Sequence, residues 1–355
     1  MFAEQQVVQA KTEKQSIKCV VWDLDNTLWN GILLEDEAIT PRAGVREILQ
    51  ELDRRGILNS IASRNDPDLA LCKLEALGLK EYFLYPEINW NTKSASIAAI
   101  GKSLNIGLDT FAFIDDQPFE REEVAFVHPQ VLCLDAAVLG QLLDLPRMQP
   151  RFITAGSQLR RQMYQSGIVR AQAEAEFTGS NEEFLAGLQM VFTIKMAEES
   201  DLKRAEELTI RTHQLNTTGY TYSYDELDRF RQADDHLLLV SSLEDKFGTY
   251  GTIGLALVEK GQAAWLVKLL LMSCRVMSRG VGTILMSYIM FQAKQAGVPL
   301  RAHFISNGRN RMMYVTYKFG GFEEVAKDGD LVILENNLNQ IQPFLDYVQV
   351  KISEH

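Results

Sequence analysis

Val20-Val21-Trp22-Asp23-Leu24-Asp25-Asn26-Thr27-Leu28 is the stretch on which the fold of this chain turns. The apolar run from Cys19 to Trp22 has the unbroken hydrophobicity of a strand buried on both faces, as in a parallel sheet. Two carboxylates follow at i and i+2, then a hydroxyl at Thr27, where a strand gives way to its loop. Ligands of open α/β sheets bind beyond the carboxyl ends of the strands. Paired Asp side chains there suit a hard cation such as Mg²⁺, which keeps waters and takes few protein oxygens. One Asp can attack phosphorus while the other carries a proton. A strand that simply ends in a polar loop is the plain alternative.

Three later segments decide between these. Ile57 to Ile61 reads as a second strand and ends in Ala62-Ser63-Arg64-Asn65. Lys93 stands alone in Asn91-Thr92-Lys93-Ser94, ahead of a helical run. Thr110 to Ile114 is another apolar strand, ending in Asp115-Asp116. The set of Asp-x-Asp-x-Thr, Ser, Lys and Asp-Asp, in that order, resembles the haloacid-dehalogenase (HAD) superfamily of phosphotransferases over residues 16 to 145. The resemblance implies roles position by position. Asp23 is the nucleophile that forms an aspartyl-phosphate, and Asp25 the general acid/base with its backbone carbonyl on Mg²⁺. Thr27, Ser63, Arg64 and Lys93 are the phosphate-binding set. Asp116 completes the metal site of Asp23, Asp25 and Asp116, while Asp115 pairs with Lys93 rather than binding metal directly.

Many HAD enzymes of small metabolites insert a cap domain between these motifs. Here Thr27 to Ser63 holds only a short polar loop and one helix, about Pro41 to Arg55. Ser63 to Lys93 has room for one more, around Asp68 to Leu77. The expectation is a capless site that takes a substrate on a large carrier or is covered by something else in the chain.

At 355 residues the chain has room for two or three domains. A net charge of −11 argues against general nucleic-acid binding. Met1 to Gln15 is a polar tail without the apolar core of a signal peptide, and Lys268 breaks the best apolar stretch, Ala263 to Met272. No membrane role is expected. The four cysteines are scattered, without metal-site spacing, which fits a reducing cytoplasmic setting. The expected organisation is a tail (1–15), a HAD-like domain (16–150), connecting helices (151–185) and a second α/β domain (186–345).

In that second domain the order reads strand (Val191 to Met196), helix (Ser200 to Leu215), helix (Ser223 to Arg231), then strand (His236 to Leu243). Two more strands follow (Thr252 to Glu259, Ala263 to Met272), with Leu243 to Gly254 as a Gly-rich hairpin turn. The end is helix (Gly280 to Ala296), strand (Leu300 to Ile305), helix (Arg309 to Phe319) and strand (Leu331 to Glu335). This order resembles the GNAT acyltransferase fold, as do Asn310, Met313, Tyr317 and Gly321-Phe322. Gly280-x-Gly282 opens a helix, as an anion-binding N-terminus should. Met277, however, stands where that family has Gln or Arg, a departure from ordinary acetyl-CoA binding.

Cys274 follows the strand Ala263 to Met272 and precedes the helix at Gly280, flanked by Arg275 and Arg279. Cationic neighbours and a helix N-terminus favour a thiolate nucleophile; a small core residue is the bland reading. The motifs Trp22 to Trp29, Ile114 to Arg121, Gln214-Leu215-Asn216-Thr217-Thr218-Gly219, Ser273 to Met277 and Gly308 to Met313 share one chain. Together they resemble the FkbH-like proteins of polyketide pathways from about Lys18 to Glu335. That resemblance implies transfer of the glyceryl unit of 1,3-bisphosphoglycerate, with loss of phosphate, to the phosphopantetheine thiol of an acyl carrier protein. Asn216, Arg275, Gly280, Gly282, Asn310 and Tyr317 then fall in the acyl and pantetheine region. His303 is a candidate base for Cys274, and His213 a lesser one. The rival expectations are a HAD phosphatase fused to an acetyl-CoA-dependent GNAT, a capless phosphoprotein phosphatase with a recognition module, and a non-catalytic scaffold that presents carrier proteins.

Overall fold

The computed structural model describes residues 16–36, 38–212 and 214–353. The expected tail and His213 lie outside the described residues. The chain divides into two compact units, one ending at Gln165 and the other beginning at Ser166. That division falls inside the segment read as connecting helices.

In the first unit the strands are β1 (Cys19–Trp22), β2 (Trp29–Asn30), β3 (Thr40–Pro41), β4 (Leu58–Ser63), β5 (Glu87–Ile88), β6 (Phe111–Asp115) and β7 (Leu132–Asp135). Five of them form a sheet in the order β5-β4-β1-β6-β7, with every neighbour parallel. All residues of β1, β4 and β6 are buried, the polar Asn59 and Ser60 of β4 included, as in a parallel sheet covered on both faces. The helices are α1 (Val45–Arg54), α2 (Pro67–Ala76), α3 (Lys93–Leu104) and α4 (Pro118–Val127). Among the described residues only the β2–β3 hairpin and α1 stand between Thr27 and Ser63, and only α2, a short 3₁₀ turn and β5 between Ser63 and Lys93. The unit is therefore capless. Helix α1 starts later than the sequence suggests, because Gly44 before it takes the left-handed conformation at φ 79°.

The second unit begins within the helix Arg160–Glu176 (α5) and continues with α6 (Asn181–Gly187), β8 (Met190–Met196), α7 (Glu199–Arg211) and α8 (Tyr224–Gln232). Next come β9 (His236–Asp245), β10 (Gly248–Lys260), β11 (Trp265–Met272), α9 (Val281–Gln295), β12 (Leu300–Ile305) and α10 (Arg311–Phe319). β13 (Glu323–Asp328), β14 (Leu331–Asn336) and β15 (Val348–Ser353) end the chain. The eight strands lie in the order β13-β14-β12-β11-β10-β9-β8-β15, parallel only at β11–β12 and β8–β15. Alternation assigns the two faces. Leu239, Ala256, Val258, Leu270 and Met272 pack with α9 and α10, whereas Leu238, Val240, Leu255, Leu257, Leu269 and Leu271 pack with α7 and α8.

Two expectations are corrected here. The stretch Leu243 to Gly254 is not a long turn: the chain reverses between Asp245 and Gly248, and the glycines lie in β10 at register shifts. The unit also runs past residue 345, since β15 adds an edge strand to β8.

A buried ion pair ties this unit together. Arg170 grips Asp245 through two hydrogen bonds of 2.6 and 2.9 Å and lies 4.0 Å from the centre of the Tyr250 ring. The Tyr250 hydroxyl donates to the same carboxylate at 2.9 Å. Removing one partner of such a pair leaves a buried charge uncompensated. Arg170→Met is therefore expected to lower stability by about 3–5 kcal/mol, read as a fall in the urea midpoint of unfolding.

Candidate functional site

The carboxyl ends of β1 and β6 carry Asp23 and Asp115-Asp116, and the first turn of α3 supplies Lys93. Thr92 caps α3 by accepting from Ala95 N, which fixes where Lys93 leaves the backbone. Lys93 Nζ donates to Asp23 Oδ1 and, at 2.7 Å, to the Ala62 carbonyl, and forms an ion pair with Asp115 at 3.2 Å. Burial alone would lower the Lys93 ammonium, but Asp23 and Asp115 outweigh it and hold it above its usual value. Burial first, and the charge of Asp23 second, push the Asp115 carboxyl up against the pull of Lys93.

Asp23, Asp115 and Asp116 each offer a carboxylate oxygen, all within 4.8 Å of one another. Asp115 Oδ2 is buried, with the Lys93 ammonium 3.2 Å away but poorly aligned for a hydrogen bond. A converging, partly orphaned set of hard oxygens fits a divalent cation of the Mg²⁺ type. Asp115 pairs with Lys93 as expected and also offers an oxygen beside Asp23 and Asp116. The carboxylate of Asp25, whose expected metal contact is its backbone carbonyl, accepts from Trp29 Nε1 (2.8 Å), Leu33 N (3.1 Å) and Asn65 Nδ2 (3.0 Å). Trp29 and Asn65 are thus site residues that the motif reading passed over, although both sit inside the quoted runs.

The expected phosphate set also divides. Ser63 is buried at the end of β4, next to the carbonyl that holds Lys93. Thr27 instead positions Asp116: its Oγ1 accepts from Asp116 N at 3.0 Å and lies 3.4 Å from Asp116 Oδ1. Arg64 is engaged by Glu120 at 2.8 Å and donates through Nε to the Asn91 carbonyl at 3.2 Å. Glu120 lies inside the Ile114–Arg121 motif, in the first turn of α4, but the motif reading gives it no role of its own.

In the second unit Cys274 opens a 3₁₀ turn (Cys274–Val276) just beyond β11 and is half-buried. Arg275 Nε donates to Ser273 Oγ at 3.3 Å, and Arg279 Nη2 is bound by Glu174 at 3.0 Å. His303 does not serve Cys274. Val267 is level with Ala302 in the β11–β12 register, so His303 lies level with Lys268, six residues short of Cys274. At about 3.3 Å per residue that is roughly 20 Å along the strand. Burial, with Lys268 adding to it, lowers the imidazole of His303.

Other members of the proposed acyl region prove structural. The β11–β12 pairing stops at Val267–Ala302, and Leu215 to Thr217 fills the space beyond. Met272 N donates to Leu215 O (2.9 Å), Thr217 N to Leu270 O (3.1 Å) and Ile305 N to Thr217 O (3.0 Å). Asn310 stitches the insert in place, with Nδ2 on the carbonyls of Asn216 and Ile305, each at 2.9 Å. Tyr317 is fully buried against Phe322 and is a core residue, not an acid at a surface. Gly280 is left-handed (φ 74°), and a Cβ there would meet Leu345 Cδ1 at 2.6 Å and Tyr347 Oη at 3.2 Å. The C-terminal segment thus lies over the start of α9. Gly282 has room for an ordinary contact with Met272 at 3.7 Å.

No family model and no curated protein matches the chain. Among solved structures, the first unit is similar to the N-terminal part of a Bacteroides fragilis protein containing a phosphatase domain, complexed with Mg: 28% identity over 41% of this chain, TM-score 0.35. The match takes in 44% of that chain, so this protein spans less than half of it. Several other matches are acetyltransferases. One is the ribosomal-protein-S18-alanine N-acetyltransferase of Escherichia coli, with 16% identity, 43% of this chain and 98% of that one, and TM-score 0.34. Another is the PaiA N-acetyltransferase of Thermoplasma acidophilum in complex with coenzyme A, with 17% identity, 41% and 97% coverage, and TM-score 0.33. These likenesses are partial, and the chemistry rests on the geometry of this chain. That geometry is α/β in both units, and the second keeps the element order read from the sequence, with β13 and β15 added. No described helix is long and apolar enough to cross a membrane.

Proposed function

We propose that the first unit is a Mg²⁺-dependent phosphatase with Asp23 as nucleophile, and that the second transfers an acyl group through Cys274. The observation that carries the first half is the convergence of buried Asp23, Lys93 and Asp115 with half-buried Asp116. An Asp23 oxygen attacks phosphorus, the bond to the leaving alkoxide breaks, and the alkoxide takes a proton from Asp25 once Trp29, Leu33 and Asn65 release that carboxylate. Water, deprotonated by Asp25, then attacks the aspartyl-phosphate and frees inorganic phosphate. Asp23, Asp115 and Asp116 would hold the Mg²⁺, which supplies charge neutralisation for the phosphoryl oxygens. Lys93 orients the Asp23 oxygen through its hydrogen bond.

In the fuller reading the substrate is 1,3-bisphosphoglycerate. Asp23 chemistry first removes its ester-linked phosphate; the Cys274 thiolate then attacks the acyl carbon, the acyl C–O bond breaks, and the acyl phosphate leaves as inorganic phosphate, giving a glyceryl thioester. The phosphopantetheine thiol of an acyl carrier protein then displaces Cys274. The alternative is a phosphatase joined to an acetyl-CoA-dependent transferase. The cover of Leu345 and Tyr347 over Gly280 weighs against it, because a diphosphate at that helix start needs the space.

Intact mass after incubation with Mg²⁺ and 1,3-bisphosphoglycerate tests the choice. The expected result is a glyceryl adduct that is absent from Cys274→Ala. Absence of an adduct on wild-type protein that retains phosphatase activity, together with tight acetyl-CoA binding, would establish the alternative.

A further inference from the structure

The phosphatase site has no cap domain, yet Asp23 and Lys93 are only 7% and 3% exposed. Part of the cover is a pair of side chains. Arg64 directly follows β4 and Glu120 lies in the first turn after β6, and these strands flank β1 on either side. Their side chains meet at 2.8 Å, so the pair reaches across the end of β1, where Asp23 leaves the sheet. The Arg64 side chain is 37% exposed, so its guanidinium meets solvent at this end of the sheet.

The pair is poorly satisfied. Glu120 Oε2 is buried with no hydrogen-bond partner, and a buried carboxylate oxygen left so is costly. A guanidinium prefers two parallel bonds to one anion, but here Nε goes to the Asn91 carbonyl and Nη1 to Glu120. Lys93, Asp23 and the adjoining carboxylates already account for the reacting phosphoryl group, which leaves Arg64 for a different anion.

We propose that Arg64 is the receptor for a second anionic group of the substrate, a carboxylate or phosphate on the same short carbon frame, and that Glu120 is its internal stand-in. Binding exchanges the Glu120 contact for the substrate's own anion. The pair thereby selects small, doubly charged phosphate esters over singly charged ones. This rests on the phosphatase reading above and sharpens it: phosphate is removed from the free, doubly charged metabolite rather than from a thioester.

Competitive inhibition of p-nitrophenyl phosphate hydrolysis tests it, with 3-phosphoglycerate as the doubly anionic probe and glycerol 3-phosphate as its match lacking the carboxylate. Wild-type protein should bind 3-phosphoglycerate about ten-fold more tightly, the scale of one charge-assisted contact. Arg64→Met should erase that preference, and Glu120→Gln, which frees Arg64, should widen it about five-fold. Inhibition constants for the two probes that move together in both variants, or not at all, overturn the proposal while leaving the phosphatase intact. Failure of wild-type protein to show any Asp23-dependent turnover removes the phosphatase reading itself, and this proposal with it.

Discussion

Asp23→Asn is expected to abolish phosphatase turnover, by about 10⁴-fold or more, without loss of the fold. Loss of a covalent nucleophile removes the entire two-step path, and the rest of the site cannot replace it. The folded state should tolerate the change. Asn has the shape of Asp and still offers an oxygen to Lys93, which also keeps the Ala62 carbonyl and Asp115. The substitution also removes the charge that pushes the Asp115 carboxyl up, so it relieves a repulsion inside the unit. The measurement pairs turnover of p-nitrophenyl phosphate with the melting temperature. A variant that melts like wild type, turns over nothing and shows no phosphoryl adduct supports the assignment. Retained turnover in a folded Asp23→Asn protein would remove Asp23 from the mechanism.

The sequence disclosed this unit because its signals are local. A strand buried on both faces is mostly apolar, so β1 and β6 announce themselves, while β4 buries Asn59 and Ser60 by hydrogen-bonding them; the polar residues that end each run mark where ligands bind. What it hid are contacts between residues remote in sequence. Nothing in Arg64 or Glu120 says that they meet, and nothing in the run around Asp25 says that Trp29, Leu33 and Asn65 hold its carboxylate. Composition misled in the second unit as well. Glycines at 248, 251 and 254 suggest a turn, yet the sheet absorbs them as register shifts in a long strand. The alternation Val348-Gln349-Val350-Lys351-Ile352 was a legible strand signal that the boundary at 345 excluded. His303 failed for a geometric reason: neighbouring strands bring two residues together only at the same level of the register.

Lys93→Ala should be the most damaging single change in the first unit. The ammonium is buried with Asp23 and Asp115, and its removal leaves two carboxylates side by side without their counter-charge. Stripping one partner from a buried ionic group costs about 3–5 kcal/mol. Mg²⁺ should return part of that stability, because a cation among Asp23, Asp115 and Asp116 replaces the missing charge. The rise in melting temperature on adding Mg²⁺ is therefore expected to be larger in Lys93→Ala than in wild type, and chelation should remove it. The double variant Asp23→Asn, Lys93→Ala discriminates further. With one carboxylate neutralised, the loss of Lys93 costs less, so the two changes should combine to less than their sum. Strict additivity would mean that Lys93 and Asp23 are neighbours without being coupled, and the electrostatic account of the site would fail at its centre. Catalysis should not recover with the fold: Mg²⁺ restores charge at the carboxylates but not the donor that orients the Asp23 oxygen for attack.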